Sequence, residues 1–313
     1  MSSQEVAELN RITAEKIDAK LALKSQKEQT IAQNVRKSLS RMVSVSDTTL
    51  SGSKNEFKWL HDLYINPLSI NALIDVNHIY GDQVFKTQGT ASDTTLFIPL
   101  YNAEGRIMST VAIDDMGNQE FMPGGQRKGN FAVLGSEFNA LNNADEILIC
   151  SSLESSVVIS SELKNNSNEH TAVVCAFGDD NLPFVTERIA RKMKGGLGLC
   201  LDYEKKQDLS TQGNENFEAA QSAIRAVEDL KPFTEIYLPP LTTVQLSQGK
   251  RSWSDLTSDK DSLDRLKVGL NQVITQIHVK ADAIVDTREE GLNLDKKEEQ
   301  VERIGNKLKQ IKA

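Results

Sequence analysis

The sequence predicts an α/β fold in which a mostly parallel sheet is flanked by helices. Three short apolar runs, Glu146–Cys150, Thr171–Phe177 and Gly198–Asp202, have the length and composition of buried strands. Helical stretches near Ser155–Leu163 and Phe184–Lys192 separate these runs. Strands that alternate with helices along a chain indicate a parallel sheet with helices on its faces.

A small β-rich subdomain is predicted before the parallel sheet. Residues 96–114 (LFIPLYNAEGRIMSTVAID) alternate like an antiparallel hairpin, with turn-forming residues at 102–105. We therefore assign residues 59–140 to the β-rich subdomain and residues 141–285 to the mostly parallel domain.

Both ends of the chain are predicted to be helical arms. Residues 4–39 are rich in Ala, Glu, Lys, Gln and Leu and contain no Gly or Pro. Their apolar positions keep only a loose heptad, which favours a packing arm or partner helix over a long dimeric coiled coil. We assign residues 1–58 to an arm with a polar linker and residues 286–313 to a C-terminal helix. A solvated helix and a protein-binding helix both fit each arm.

Charge and hydropathy restrict the classes of partner. The chain has no apolar run long enough for a membrane span, and MSSQEVAELN lacks the features of a secretory signal, so we expect a cytoplasmic protein. The net charge is −8, and residues 59–285 carry 19 Lys/Arg against 30 Asp/Glu. Nucleic-acid binding by overall charge is thereby excluded, and a local basic patch is required.

The three cysteines, Cys150, Cys175 and Cys200, predict buried core thiols. Each lies in a short apolar run, where cysteine behaves as a small hydrophobic residue. Their spacing matches no common metal-ligand motif, and an odd number argues against a disulfide framework.

Polar residues follow the three predicted strands, where ligands bind in parallel sheets. Ser151 and Ser152 follow the first strand, residues 178–181 follow the second, and Asp202 and Glu204 end the third. Two carboxylates at this spacing are able to face one Mg²⁺ ion. An ordinary exposed acidic pair explains the same two residues.

Seven segments, taken in order, resemble the TOPRIM primases of plasmids and phages. That family shows a "VPL..DG" hairpin, a "PGG.K.G" loop, an "EG" after the first TOPRIM strand, "F...NL", a "D.D" strand end, "GN...A...A" and a late "DFNDL". The corresponding segments are FIPLYNAEGRI, FMPGGQRKGNFAVLG, EILIC, AFGDDNLPFV, LGLCLDYE, GNENFEAAQSAIRAV and WSDL. They extend over roughly residues 96–271, so the resemblance implies a TOPRIM-like fold with a degenerate catalytic motif.

The resemblance also implies which catalytic parts are lost and which remain. In the family, the Glu after the first strand transfers a proton and the paired aspartates hold Mg²⁺. Here the "EG" falls on Ser151 and Ser152, so the catalytic carboxylate is missing, and Glu154 is the nearest substitute. The aspartate pair becomes Asp202 and Glu204, which implies a Mg²⁺ site that is weakened if it binds at all.

Further family positions fall on Asn181 and on the GGQRKG loop. Asn181 matches the family asparagine, and Asp179 adds charge beside it, although a turn or helix cap is the commoner role for both residue types. Arg127 and Lys128 in the loop are candidates for phosphate contact. A second basic face, for which an ordinary solvated helix surface is the alternative, comprises Arg188, Arg191, Lys192 and Lys194.

Two functions are compatible with these residues. The first is a non-catalytic protein of a mobile element that binds DNA, RNA or a protein partner in DNA replication or conjugation. The second is a Mg²⁺-dependent DNA primase that uses Asp202 and Glu204 with an unorthodox base. Loss of the proton-transfer residue favours the first function, because such a loss costs about two to four orders of magnitude in rate.

Overall fold

The structure, a computed structural model, describes most of the chain from the first arm to the last helix of the α/β domain. The described residues are 3–40, 42–44, 85–87, 96–114, 117–166, 168–203, 215–231, 234–257 and 259–277. Glu204, the predicted linker and the predicted C-terminal helix lie outside them. The assigned domain boundaries stay predictions.

Helix α1 (Ser3–Leu39) confirms the predicted N-terminal helical arm. At a rise of 1.5 Å per residue, its 37 residues span about 55 Å. Only its last part is packed, where Ala32, Val35 and Leu39 are buried. The preceding turns are exposed on nearly all sides, so most of α1 projects from the body.

An antiparallel sheet follows α1 and includes the predicted hairpin. Its strand order is β1-β2-β3-β4-β5. At the hairpin turn, the Asn102 side-chain oxygen accepts hydrogen bonds from the backbone N–H groups of Glu104 and Arg106. The five strands are β1 (Met42–Ser44), β2 (Phe85–Thr87), β3 (Leu96–Tyr101), β4 (Ile107–Ile113) and β5 (Gln119–Phe121).

The second sheet is mostly parallel, which confirms the predicted fold class. Its order is β10-β9-β7-β8-β6, and only the edge strand β6 runs antiparallel to its neighbour. The third predicted strand is displaced by two residues, because β9 ends at Cys200 and leaves Asp202 in the following loop. The strands are β6 (Ala132–Leu134), β7 (Glu146–Cys150), β8 (Thr171–Cys175), β9 (Gly196–Cys200) and β10 (Glu235–Tyr237).

Helices cover both faces of the mostly parallel sheet. On one face, the helices Leu182–Lys192 and Glu215–Val227 pack through residues such as Ile189 and Ala223. On the other face, the helical residues Val158 and Leu266 pack around the fully buried Trp253. A short 3-10 helix spans Trp253–Thr257. The helices are α2 (Ala140–Asn143), α3 (Leu153–Asn165), α4 (Leu182–Lys192), α5 (Glu215–Val227), α6 (Thr243–Ser247) and α7 (260–277).

The two sheets are joined by main-chain hydrogen bonds. Tyr101 at the end of β3 donates to the Phe131 carbonyl at 2.7 Å, and Phe131 donates back at 3.0 Å. Phe138 packs against the Tyr101 ring at a centroid distance of 5.3 Å. This bridge fixes the GGQRKG loop, which lies between the sheets in the chain, relative to the parallel strands.

The three cysteines lie in one row across the parallel sheet, and the prediction of buried thiols is confirmed. Cys150 is in register with Cys175 on one side and with Cys200 on the other, and all three are buried. A hydrogen bond with Cys200, together with burial, raises the pKa of the Cys150 thiol. Burial raises the pKa of the Cys175 thiol as well, so both stay protonated at neutral pH.

Candidate functional site at the carboxyl edge of the parallel sheet

The polar residues predicted at the strand ends meet at the carboxyl edge of the sheet. The Gly178 N–H after β8 donates to the Ser151 carbonyl after β7 at 2.8 Å. Ser152 and Asp202, which follow β7 and β9, are in direct contact. The structure therefore brings the three predicted strand ends together.

Asp202 is held by three donors from the protein. Its Oδ2 accepts from the Ser152 hydroxyl at 2.7 Å. Its Oδ1 accepts from the Ser155 hydroxyl at 2.6 Å and from the Trp253 backbone N–H at 3.2 Å. Both carboxylate oxygens are thus engaged in hydrogen bonds that tie β9 to α3 and to the 3-10 helix.

The two serines are positioned by the start of α3. Ser152 is the N-cap residue, and its hydroxyl oxygen also accepts from the Ser155 backbone N–H at 3.4 Å. A hydroxyl can accept one hydrogen bond and donate another, so Ser152 caps the helix and still donates to Asp202. One of the two serines that follow β7 therefore serves as a donor to Asp202.

Sequence reasoning missed Ser155 and the part played by Trp253. The Ser-x-x-Ser spacing at the start of a helix was the available signal for Ser155, since N-cap and N3 positions share one face. The WSDL segment lies beside Asp202. In addition to its backbone bond to Asp202, Trp253 donates its indole N–H to the Leu201 carbonyl at 3.1 Å. Asp255 in the same segment accepts from the backbone N–H of Ser252 at 2.8 Å and stabilises the turn.

Two acidic groups at this edge, Asp202 and Glu154, have raised pKa values. Burial raises the pKa of Asp202 against the opposing effect of its serine hydrogen bonds. Glu154, in the first turn of α3 as predicted, has its pKa raised by burial and further by the negative charge of Asp202. The charge of Asp202 therefore adds to the effect of burial in disfavouring the ionised form of Glu154.

Asn181 joins the GGQRKG loop to the end of β8. Its side-chain N–H₂ donates to the carbonyls of Asn130 at 3.0 Å and Ala176 at 2.8 Å, and its oxygen accepts from the Gly129 N–H at 2.6 Å. Asn181 occupies the N-cap position of α4 without a side-chain capping bond. It is a buried structural clamp, and Asp179 lies beside it in the same turn.

The two loop cations make contacts within the protein. Arg127 donates to Asp180 at 2.6 Å and to the Phe177 carbonyl at 2.5 Å, and lies 4.8 Å from the centroid of the Phe121 ring. Lys128 lies 3.7 Å from the centroid of the Phe184 ring. A phosphate at this loop would have to compete with an ion pair for Arg127.

The second basic face divides along α4. Arg188 donates to the Asn130 side chain at 2.8 Å, and Arg191 pairs with Glu187 at 2.8 Å. Lys192 and Lys194 are exposed at the end of α4 and just after it. Lys192 and Lys194 lie at the end of α4 away from Asn181, whereas the Arg188 side chain reaches Gly129 and Asn130, which are bonded to Asn181.

The described residues do not fit a Mg²⁺ site as they stand. Mg²⁺ prefers carboxylate oxygens in near-octahedral geometry, whereas both oxygens of Asp202 accept hydrogen bonds from the protein. Within the described ranges, no group of three or more His, Cys, Asp or Glu is arranged to hold a metal ion. The predicted second ligand, Glu204, lies outside those ranges.

Searches against known proteins returned only structural likenesses. No family model matches the chain, and no curated protein matches it.

No helix in the described part of the chain is long and apolar enough to cross a membrane.

The similar solved structures include several primases. The primase fragment of the bacteriophage T7 primase-helicase protein is 12% identical at a TM-score of 0.36, over 53% of this chain and 62% of that one, which is less than two thirds of its length. The DnaG primase catalytic domain bound to single-stranded DNA is 12% identical at a TM-score of 0.39, and the match covers 85% of this chain and 99% of that domain. The Aquifex aeolicus primase (zinc-binding and RNA polymerase domains) is 12% identical at a TM-score of 0.36, and the match covers 83% of this chain and 70% of that one. None of these likenesses bears on the chemistry of the site.

Proposed function

We propose that the chain is a non-catalytic, TOPRIM primase-like protein of a plasmid or phage that binds nucleic acid or a protein partner in DNA replication or conjugation. The proposal is carried by Asp202, whose two oxygens accept hydrogen bonds from Ser152, Ser155 and the Trp253 backbone. An aspartate held in this way ties elements of the fold together. These hydrogen bonds account for the Asp202 carboxylate without a metal ion.

The absence of a proton-transfer group at the expected position supports the same conclusion. Ser151 and Ser152 stand where the family carries its glutamate, and a serine hydroxyl is not ionised at neutral pH and cannot replace a carboxylate as a base. We propose that any Mg²⁺ binding through Asp202 and Glu204 is weak, because it would displace hydrogen bonds that stabilise the fold.

A binding role suits the remaining surface. The protein is proposed to act in the cytoplasm, to contact DNA or RNA through local basic patches, and to contact protein partners through its helical arms. The overall net charge of −8 requires that nucleic-acid contact be confined to such patches.

The test combines primer synthesis with DNA binding on the full chain. We expect no primer synthesis on single-stranded DNA with Mg²⁺ or Mn²⁺, no Mg²⁺ binding by titration calorimetry up to about 10 mM, and measurable single-stranded DNA binding by fluorescence anisotropy. Primer synthesis that Asp202→Ala with Glu204→Ala abolishes would overturn the non-catalytic assignment. Absence of binding to any nucleic acid would overturn the nucleic-acid role.

A stability measurement separates a structural Asp202 from a metal ligand. Asp202→Ala leaves two hydroxyls and one backbone N–H without their acceptor, so we expect a loss of about 2–3 kcal/mol in the free energy of unfolding without any metal present. Asp229→Ala, which removes an exposed carboxylate from the turn after α5, is the comparison. A metal-ligand role for Asp202 predicts instead that Asp202→Ala leaves the metal-free protein as stable or stabilises it.

One observation favours the second candidate, a Mg²⁺-dependent DNA primase. Burial and the charge of Asp202 raise the pKa of Glu154, and a raised pKa is typical of a carboxyl group that transfers a proton in catalysis. In that case Glu154→Gln abolishes primer synthesis, while the exposed Glu169→Gln leaves it intact. Equal, background-level synthesis in wild type and both variants rejects this candidate.

A further inference from the structure

A basic cleft lies where the N-terminal arm meets the body. It has a volume of about 360 Å³ and is formed by α1, the β3–β4 turn and the last turns of α4. Its cations come from all three elements: Lys24 from α1, Arg106 from the turn, and Arg188, Arg191 and Lys192 from α4. Charges far apart in the sequence therefore meet at one place.

The charge of the cleft is opposite to that of the chain. Two carboxylates, Glu28 and Glu104, line it beside the five cations, whereas the whole chain has a net charge of −8. Lys24 is 4.0 Å from Glu28, which is a weak pairing. Arg106 and Lys192 have no carboxylate partner within the described ranges, so their charges remain available to an anion.

Part of the cleft is held in place before any ligand arrives. Arg188 is fixed by its hydrogen bond of 2.8 Å to the Asn130 side chain, and its guanidinium packs against Gly129, where a Cβ atom would lie 2.6 Å from it. Arg191 forms an exposed ion pair with Glu187 at 2.8 Å on α4, for which a phosphate would compete. Fixed guanidinium groups lose little conformational entropy on binding, and their geometry suits phosphate oxygens.

The lining indicates the kind of anion. Besides the charged residues, only Ser25, Asn102 and Ala103 line the cleft, and no aromatic ring is among the lining residues. Recognition of bases in single strands relies on stacking against aromatic side chains. A ligand held here is therefore recognised by its phosphates and not by its bases.

We propose that this cleft binds the phosphodiester backbone of nucleic acid without reading its sequence. This inference rests on the proposed function, which it deepens by placing nucleic-acid contact at the α1–α4 cleft and away from the carboxyl edge. The 11 residues of α4 span about 16 Å, which separates Lys192 at the end of the helix from the carboxyl edge at its start. Arg127, which pairs with Asp180, and Lys128, which lies against the Phe184 ring, then contribute less to binding.

The experiment measures binding of a fluorescent single-stranded oligonucleotide to the full-length protein at several salt concentrations. The test variant is Arg106→Ala with Lys192→Ala, which removes the two cations without a carboxylate partner. The control is Arg225→Ala with Lys260→Ala, which removes the same charge from exposed positions on α5 and α7. Circular dichroism establishes that both variants are folded.

We expect about tenfold weaker binding for the test variant at moderate salt. The slope of the logarithm of the binding constant against the logarithm of the salt concentration is also expected to be shallower by about 1.4. This is the change expected for two lost phosphate contacts to a single strand. The control is expected to bind like the wild type. Equal binding of the test and control variants would show that the cleft is not the binding site, while leaving the proposed function in place.

The other outcomes separate the remaining explanations. If the wild type binds neither single-stranded nor duplex DNA nor RNA, both the proposed nucleic-acid role and the cleft are wrong. If polyglutamate binds in a manner that depends on Arg106 and Lys192, whereas binding of nucleic acid does not depend on them, the partner is an acidic protein and the nucleic-acid proposal for the cleft is overturned.

Discussion

At the scale of single residues, hydrogen-bond donors decide what Asp202 does. The same carboxylate at a strand end would suit a metal if its oxygens faced water. Here the Ser152 hydroxyl donates to Oδ2 at 2.7 Å, and the Ser155 hydroxyl donates to Oδ1 at 2.6 Å. These two hydroxyl groups therefore hold the Asp202 carboxylate in a structural role.

Glu154 gives this edge a dependence on pH. Its folded-state pKa is raised, so the stability it contributes is fully present below its unfolded value of about 4.3 and is lost as the pH rises through the folded pKa. We therefore expect Glu154→Gln to stabilise the protein relative to wild type at pH 7, on the order of 1 kcal/mol, and much less at pH 4.

Urea unfolding at the two pH values measures this difference. The exposed Glu169→Gln, which lies before β8, is the matched control and should change little at either pH. A Glu154→Gln variant that is less stable than wild type at pH 7 would mean that the ionised Glu154 makes a favourable contact and contradicts the assignment.

At the scale of elements, the GGQRKG loop is bound to the parallel sheet by one side chain. Asn181 forms three hydrogen bonds to the main chain, two of them to residues on the loop. Arg127 adds an ion pair from the loop to Asp180 in the turn before α4. The loop and the start of α4 therefore form one unit whose geometry depends on Asn181.

Replacement of Asn181 tests this dependence. Asn181→Ala leaves two carbonyls and one N–H without partners in a buried place, so we expect a loss of about 2–3 kcal/mol in the free energy of unfolding. Asn142→Ala on the exposed surface of α2 is the control and should be nearly neutral. Chemical denaturation measures both, and equal small effects would show that water replaces the lost hydrogen bonds.

The elements were predictable where the signal is local, and the contacts were not. The hairpin at residues 102–105 and the strands β7 and β8 follow from apolar patterns within a few residues. The bonds of Asp202 to Ser152 and Trp253 join positions 50 and 51 residues apart, which no local pattern encodes. The Arg127–Asp180 pair spans 53 residues, so Arg127 looked available in the sequence.

At the scale of the whole molecule, α1 is both part of the fold and a projection from it. Its last turns pack through Ala32, Val35 and Leu39, whereas Val6, Ile17 and Leu21 are 43–57% exposed. The same helix contributes Lys24 to the basic cleft. Docking of its C-terminal part therefore fixes the position of the cleft.

Two valines of α1 allow a matched comparison. Val35 is 1% exposed and Val6 is 43% exposed, so we expect Val35→Ala to lower the free energy of unfolding by about 2 kcal/mol and Val6→Ala to leave it unchanged. Urea denaturation followed by circular dichroism measures both. Equal effects would mean that the last turns of α1 are not packed on the body in solution.

The row of cysteines gives the protein a built-in probe of its own opening. Cys150, Cys175 and Cys200 lie side by side in three adjacent strands and are shielded from solvent. A thiol reagent can reach them only when the middle of the sheet separates, because they have no exposed surface in the closed state. The rate of labelling therefore reports how often these strands part, and nucleic acid that holds α1 and α4 together should slow it.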